Sequence, residues 1–368
     1  MHGSVTAKKL RFGFIGCGGI ANEKHLTAMA VQPEAELAAF CDLSRERAEA
    51  AASKFGAPGA AVYTDYRQLL ANRTIDAVHV LTPNATHCEI ACAAMEAGKH
   101  VICEKPMAAS LADAERMMAT ARRTGRLFTV SYQYRHFDAN RAMKDYVDSG
   151  ALGEIYYAEA NAIRRRGVPT WGVFTDKAAQ GGGPLIDIAT HALDLTLWMM
   201  NNYEVTSVTG VCFDKLGRHA APGEMGNPFG PWDPAKYTVE DAAFGFVRMK
   251  NGALINIRSA WAINMVPPKS SVVLCGTRGG LDSENGVRAN HVIANRQVLS
   301  TIETRPMNAP PLPHNPQPTA GEAEARVWID ALLGRGELLV KPEQAFVVSQ
   351  ILDAVYRSAQ SGRTIYFD

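Results

Sequence analysis

The chain has 368 residues, with 38 Lys plus Arg against 37 Asp plus Glu and a formal net charge of +1. That length exceeds one ordinary core and points to two domains, while the balanced charge leaves no net field to draw the protein to nucleic acid or an anionic membrane. No apolar run reaches the roughly 18 residues that span a bilayer, and the start, MHGSVTAKKLRFGFIG, lacks a signal-peptide pattern. A cytoplasmic protein with a small neutral partner is expected.

In chain order, RFGFIGC reads as a strand, HLTAMAVQP as a helix, AELAAFCD as a strand, SRERAEAAASKFG as a helix closing on Gly56, and DYRQLLANR as a helix. DAVHVLTP then reads as a strand, HCEIACAAMEAGK as a helix ending at Gly98, HVICEKP as a strand, SLADAERMMATARRTG as a helix and LFTVSYQY as a strand. Such alternation implies parallel pairing in a doubly wound α/β sheet. After about residue 136 the segments IYYAEANAIRR, SVTGVCF, AAFGFVRMKNGALINIRSAWAI and SSVVLCGT are β-rich and closely spaced, which predicts a largely antiparallel sheet. Asn251-Gly252 between two alternating runs predicts a type I′ hairpin turn. Residues 180–200, QGGGPLIDIATHALDLTLWMM, read as a helix with Pro184 near its first turn, and PEQAFVVSQILDAVYRSAQSG as a helix with a Gly stop. The Pro- and Gly-rich stretches 218–236 and 305–321 read as long loops of the kind that cover sites.

The seven cysteines, Cys17, Cys41, Cys88, Cys92, Cys103, Cys212 and Cys275, are odd in number and sit mostly in apolar segments, as reduced thiols acting as small hydrophobes do. Cys88 and Cys92 share a helix face, but no second Cys or His pair has zinc-ligand spacing, so no metal is expected.

Gly16-Cys17-Gly18-Gly19-Ile20-Ala21 follows the first strand and opens a helix. Small residues there let the chain turn sharply and bring free N–H groups to a pyrophosphate. The plain alternative, an ordinary glycine turn, is weakened by Asp42 at the end of the second strand, where a carboxylate accepts hydrogen bonds from the adenosine ribose. Asp42 would repel a 2′-phosphate, so NAD is preferred. NADP is the alternative, because Ser44, Arg45 and Arg47 lie close behind.

Lys105 ends the strand HVICEKP at the sheet edge where ligands enter α/β folds, and Pro106 fixes the backbone beside it. On the helix after 180, Asp187, His191 and Asp194 stack at i, i+4 and i+7. A surface lysine paired with Glu104 and a satisfied Asp–His pair are the bland readings. A histidine oriented by a carboxylate is also the usual general base, and burying such groups is costly unless they are paired or used.

Four segments carry a resemblance: Gly16-x-Gly18-x-x-Ala21, LTPNATH at 81–87, AGKHVICEKP at 97–106 and GGGPLIDIATHALDL at 181–195. Through them the chain resembles the glucose-fructose oxidoreductase and inositol dehydrogenase family, Gfo/Idh/MocA. The resemblance implies a Rossmann domain, residues 1–136, followed by a substrate-binding and oligomerisation domain with an open-faced sheet, residues 137–368, and an active site in the cleft between them. It implies that Lys105 contacts the substrate hydroxyl and the nicotinamide ribose, that His191 is the base and that Asp187 orients substrate or histidine. Thr82, Pro83, Asn84 and His87 would line the nicotinamide half, and Glu104 would hold the strand end in place. Cys17, Gly19 and Ile20 fall within the dinucleotide turn, and Arg47 lies near it.

Oxidising a secondary alcohol requires a proton to leave while a hydride goes to the nicotinamide, and a cation beside the developing alkoxide lowers that barrier. In NAIRRRGVPTWGVF, Arg166 grips hydroxyls or an acid group and Trp171 stacks on a pyranose, unless this is a solvated basic turn with a core tryptophan. A sugar, sugar derivative or cyclitol is the implied substrate. A redox-neutral enzyme that retains NAD while cleaving a glycosidic bond and a non-catalytic sugar or NAD sensor are the alternatives. The family habit of pairing C-terminal sheets, and strands such as AAFGFVRM that lack a clean polar face, imply a homodimer or homotetramer.

Overall fold

The structure is a computed structural model and describes residues 9–219, 226–304 and 318–367. The chain forms two compact units. The first takes Met1–Ala108, Ala112–His136 and Leu312–Glu343, and the second takes Ala109–Leu111, Phe137–Pro311 and Gln344–Asp368.

Strands β1 (Leu10–Ile15), β2 (Ala35–Cys41), β3 (Ala61–Tyr63), β4 (Ala77–Val80), β5 (His100–Glu104) and β6 (Phe128–Ser131) build the first unit's sheet in the order β3-β2-β1-β4-β5-β6. Every pair is parallel. This is the doubly wound order, with the strand reversal beside β1 where such folds bind dinucleotides. The connecting helices begin where side chains replace missing backbone partners: Ser44 accepts from Arg47 N–H and Asp65 from Arg67 N–H.

The helix Ala320–Leu332 is the element that sequence order alone would put with the second unit. A capping box starts it, Thr319 and Glu322 each bonding the other's backbone. Its Ala325, Trp328 and Ile329 then join Phe12, Phe14, Leu26 and Met29 in one buried core, which is why contact, not sequence, assigns it to the first unit. Burying Trp328 there contributes about 3 kcal/mol.

In the second unit, β7 (Ile155–Ile163), β8 (Val205–Phe213), β9 (Ala242–Met249), β10 (Leu254–Ala260), β11 (Val272–Gly276), β12 (Gly279–Asp282), β13 (Arg288–Ile293), β14 (Arg296–Thr301) and β15 (Ile365–Tyr366) form one mixed sheet, ordered β14-β13-β12-β11-β7-β10-β9-β8-β15. Among the described residues of this sheet only β7 and β10 pair in parallel. The helix Pro342–Ser361 packs on one face because Gly210 and Gly245, paired across β8 and β9, admit Val355: a Cβ on Gly210 would lie 2.7 Å from it. Val211, Phe213 and Phe246 remain exposed.

Two local expectations change. The turn after β9 is not type I′: Gly252 takes φ +89° but Asn251 has no positive φ, and Met249 N–H bonds Ala253 O across a three-residue loop closed by the left-handed glycine. The helix expected over 180–200 starts later. Lys177–Gln180 is a short helix of its own, Gly181 ends it at φ +85°, and the long helix opens at Pro184 as a π-helical segment, Leu185–Ala189, continued by the α-helix Thr190–Met200. Consecutive glycines disfavour helix, whereas proline is suited to a first helical position. Of the expected loops, 220–225 and 305–317 lie outside the described residues, Ala320 and Gly321 already belong to a helix, and Trp232 packs into a core with Tyr237 and Trp261.

Candidate active site

Gly16 turns with φ +95° directly against the next strand's exit, where a Cβ would lie 2.5 Å from Leu81 O. Among the described residues, no atom beyond Gly18's own chain neighbours lies within 4 Å of the corresponding position. Asp42 fixes the turn from the side: its Oδ2 accepts from Cys17 N–H and its Oδ1 from Ser44 N–H, both at 2.9 Å. Asn22 Nδ2 donates to the carbonyls of Cys17 and Gly18. The turn is therefore held rigidly while its Gly18 side stays clear. The Cys17 thiol is turned inward, donating to Cys41 O at 3.7 Å, and burial and then Asp42 push it up to about 12. Ile20 is partly exposed and Arg47 is exposed on the following helix, its N–H donating to Ser44 Oγ.

These residues fit a dinucleotide. A clear glycine at a helix start accommodates a pyrophosphate, and the Asp42 oxygens keep lone pairs for a ribose diol.

Lys105 follows β5, partly exposed, and donates its backbone N–H to Glu104 Oε2 at 2.9 Å. Glu104 is buried, and its Oε1 accepts from Lys24 Nζ at 2.8 Å and lies 2.9 Å from His25 Nε2. Lys24 also reaches Glu324 Oε2, on the helix Ala320–Leu332, at 3.0 Å, and Ser131 Oγ donates to both Glu324 oxygens. His25 Nδ1 meets His79 Nδ1 at 3.1 Å. Burial alone would raise the Glu104 carboxyl, but Lys24, His25 and Lys105 outweigh it and hold Glu104 well below the usual range. Burial likewise opposes the Lys24 charge, yet Glu104 and Glu324 prevail and raise its pKa. Burial depresses His25 and His79. The carboxylate behind Lys105 is thus a buried anion with its own lysine.

Sequence reasoning missed Lys24, His25 and Glu324. The available signal was two basic residues immediately before the apolar LTAMA, on a helix that must pack against the sheet.

Thr82 is partly exposed and Pro83 exposed after β4, and Asn84 is buried. His87 is fully enclosed, Nδ1 2.9 Å from Pro106 O and Nε2 2.8 Å from Thr82 O. Burial lowers its pKa while the two carbonyls pull the other way. Its position is that of a brace joining the Thr82 turn to the Lys105 strand end, rather than that of a pocket wall.

In the second unit, Asp187 lies in the π-helical segment and is buried; its Oδ2 accepts from Trp261 Nε1 at 3.2 Å, and Trp261 is fully buried at the end of β10. His191, partly exposed, follows in the first α-helical turn. Asp194 is fully buried. π-Helical turns recur at functional sites because the extra residue re-aims side chains. Arg166 commits its guanidinium to Ile263 O at 3.0 Å and Asn264 Oδ1 at 2.6 Å, next to its bridge with Ala262, and is chiefly a clamp between segments. Trp171 is half exposed, with its ring edge-to-face with Phe174 and Phe229. The structure thus assembles the Asp42 turn and the Glu104–Lys105 support within the first unit, and Asp187 with His191 within the second.

A parallel sheet in this strand order, a clear glycine turn and an acidic residue at the end of β2 define a nicotinamide-dinucleotide-binding protein of the Rossmann type. Residues 10–132 match the model described as an oxidoreductase family with an NAD-binding Rossmann fold, and residues 140–282 match the GFO/IDH/MocA C-terminal domain. The chain is 34% identical over 366 residues to D-glucoside 3-dehydrogenase of Escherichia coli (strain K12), covering 99% of each chain. It is similar to an oxidoreductase domain protein from Kribbella flavida, at TM-score 0.83, 25% identity and coverage of 98% and 100%. It is also similar to GenD2 from gentamicin A biosynthesis, solved in complex with NAD, at TM-score 0.76, 26% identity and coverage of 100% and 99%. The chain belongs to the Gfo/Idh/MocA family of NAD-binding oxidoreductases.

Proposed function

We propose that the protein oxidises a secondary hydroxyl of a sugar or glucoside, or reduces the matching ketone, with the 3-hydroxyl of a D-glucoside as the foremost candidate. The near full-length relationship to D-glucoside 3-dehydrogenase carries this reading. NAD, when bound, takes up the hydride. Gly16, Gly18 and Asp42 hold the dinucleotide, and the Asp42 carboxylate selects against a 2′-phosphate.

On the protein side, the Lys105 ammonium stabilises the developing alkoxide, with its backbone anchored by ionised Glu104. The His191 imidazole takes the hydroxyl proton and returns it in the reverse direction. Asp187, fixed by Trp261, orients the substrate hydroxyls. Trp171 offers an exposed ring face to a pyranose. The protein works in the cytoplasm as a homo-oligomer, with the exposed apolar face of the second sheet against another copy.

NAD reduction measured with methyl glucosides, free sugars and inositols tests the reading. Steady reduction with a glucoside and a 3-keto product supports it. Glycoside cleavage without net reduction, or binding alone, sinks it. H191N and K105A should each lower kcat by about 10²–10⁴-fold.

A further inference from the structure

Asp187 and His191 sit on a helix whose start carries an unusual demand. The first turn of any helix leaves backbone N–H groups without intrahelical partners. Here Pro184 has no N–H, so the donors to satisfy are those of Gly183, Leu185 and Ile186. Asp187 N–H already bonds Gly183 O at 3.0 Å.

Two of those donors, from Gly183 and Leu185, go to the side chain of Glu240, which is itself joined to Tyr356. Gly183 N–H lies 3.0 Å from both Glu240 oxygens, and Leu185 N–H donates to Glu240 Oε1 at 3.2 Å. The Tyr356 hydroxyl donates in turn to Glu240 Oε1 at 2.9 Å. The glycines exist to let this pair in: a Cβ on Gly182 would lie 2.0 Å from the Tyr356 oxygen, and one on Gly183 would lie 2.3 Å from Glu240 O.

Glu240 is itself held by its surroundings. The Tyr237 hydroxyl donates to its carbonyl at 3.3 Å, and the next residue, Asp241, turns to the other side to accept from the N–H groups of Lys215, Leu216 and Gly217. Glu240 also lines a cavity of about 450 Å³ with Lys177, Cys212 and Tyr356, so part of its surface is open while its oxygens are turned to the helix start. Burial raises its pKa, and its backbone donors and Tyr356 resist that rise.

We propose that Glu240, seated on Tyr356, is the positioning residue that sets how the helix bearing Asp187 and His191 leaves the glycine turn. Its effect on the reaction runs through that helix. The inference rests on the reading of Asp187 and His191 as reacting groups. Its physical basis is that displacement of reacting groups by about 1 Å costs on the order of 100-fold in rate.

The test uses the full chain with NAD and methyl β-D-glucoside, comparing E240A, E240Q, Y356F and H191N at a temperature well below each melting point. E240A should lower kcat about 100-fold with the KM for NAD within about twofold of wild type, since the NAD turn belongs to the other unit. E240Q should recover to within about fivefold, because Oε1 carries three of the bonds and an amide oxygen can take its place. Y356F should lower kcat about fivefold, and it decides the matter if E240A does not fold. Wild-type kcat in a folded E240A or in Y356F, with H191N inactive, overturns the proposal. Wild-type kcat in H191N instead overturns the reading beneath it.

Discussion

Each unit contains a glycine turn that enters a helix through a π-helical segment: Gly16–Gly19 ahead of Ala21–His25, and Gly181–Gly183 ahead of Leu185–Ala189. The two turns use the missing side chains in opposite ways. At the first, Gly16 is closed in by Leu81 backbone, but the space over Gly18 is clear. At the second, Ala109 O, the Tyr356 hydroxyl and Glu240 O each come within 2.4 Å of where a Cβ would stand. One turn leaves room for a ligand, and the other is filled by its own protein. A run of glycines therefore announces close approach, while residues far away in sequence decide what approaches.

Alanine substitutions separate the two uses. G16A combines φ +95° with backbone contact and should cost about 4 kcal/mol in denaturant unfolding. G182A meets a flexible-ended but half-buried tyrosine and should cost about 2–3 kcal/mol, at least half of it restored by adding Y356F; no recovery in that double variant would remove Tyr356 from the account. G18A should leave stability within about 0.5 kcal/mol yet weaken NAD binding about tenfold by calorimetry. A G18A protein that binds NAD normally would erase the contrast between the turns.

The smallest effect concerns acid. Hydrogen bonds from Arg326 and Arg335, on and just past the helix Ala320–Leu332, pull Glu34 down to about 2. Its folded pKa is depressed, so this contribution is present above the ordinary carboxylate value near 4.5 and is lost as the pH falls towards 2. After allowance for solvent screening it amounts to about 1 kcal/mol. E34Q should flatten that part of the stability–pH curve, and an unchanged slope would show that the ion pairs contribute nothing.

The parallel sheet was legible except for the three-residue β3, which went unread, because each of its other strands is a short apolar run flanked by helical periodicity and a cap or glycine stop, and all of that is local. The Asp42 position was legible for the same reason: it lies at a countable distance from the glycine turn within one βαβ unit. What escaped was pairing across long separations. The helix Ala320–Leu332 went unread, and nothing local ties its Trp328 and Ile329 to the core around Phe12 and Phe14. Glu104 reads as a neighbour of Lys105, whereas its charge partner is Lys24, 80 residues earlier. Arg166 reads as a binding group because nothing nearby in sequence shows that Ile263 and Asn264 will occupy its guanidinium. The segment at 180–200 misled at its start, since composition does not distinguish glycines inside a helix from glycines that a tyrosine and a glutamate press against.

The helix Ala320–Leu332 fills the hollow around Phe12 and Phe14 and brings Glu324 to Lys24. During synthesis the cofactor half must therefore wait with an unsealed core, and with Lys24 short of one of its two carboxylates, until about nine-tenths of the chain has left the ribosome. A gene fusion or swap cut at residue 136 would inherit the same gap, and transplanting this half intact means carrying the distant helix with it.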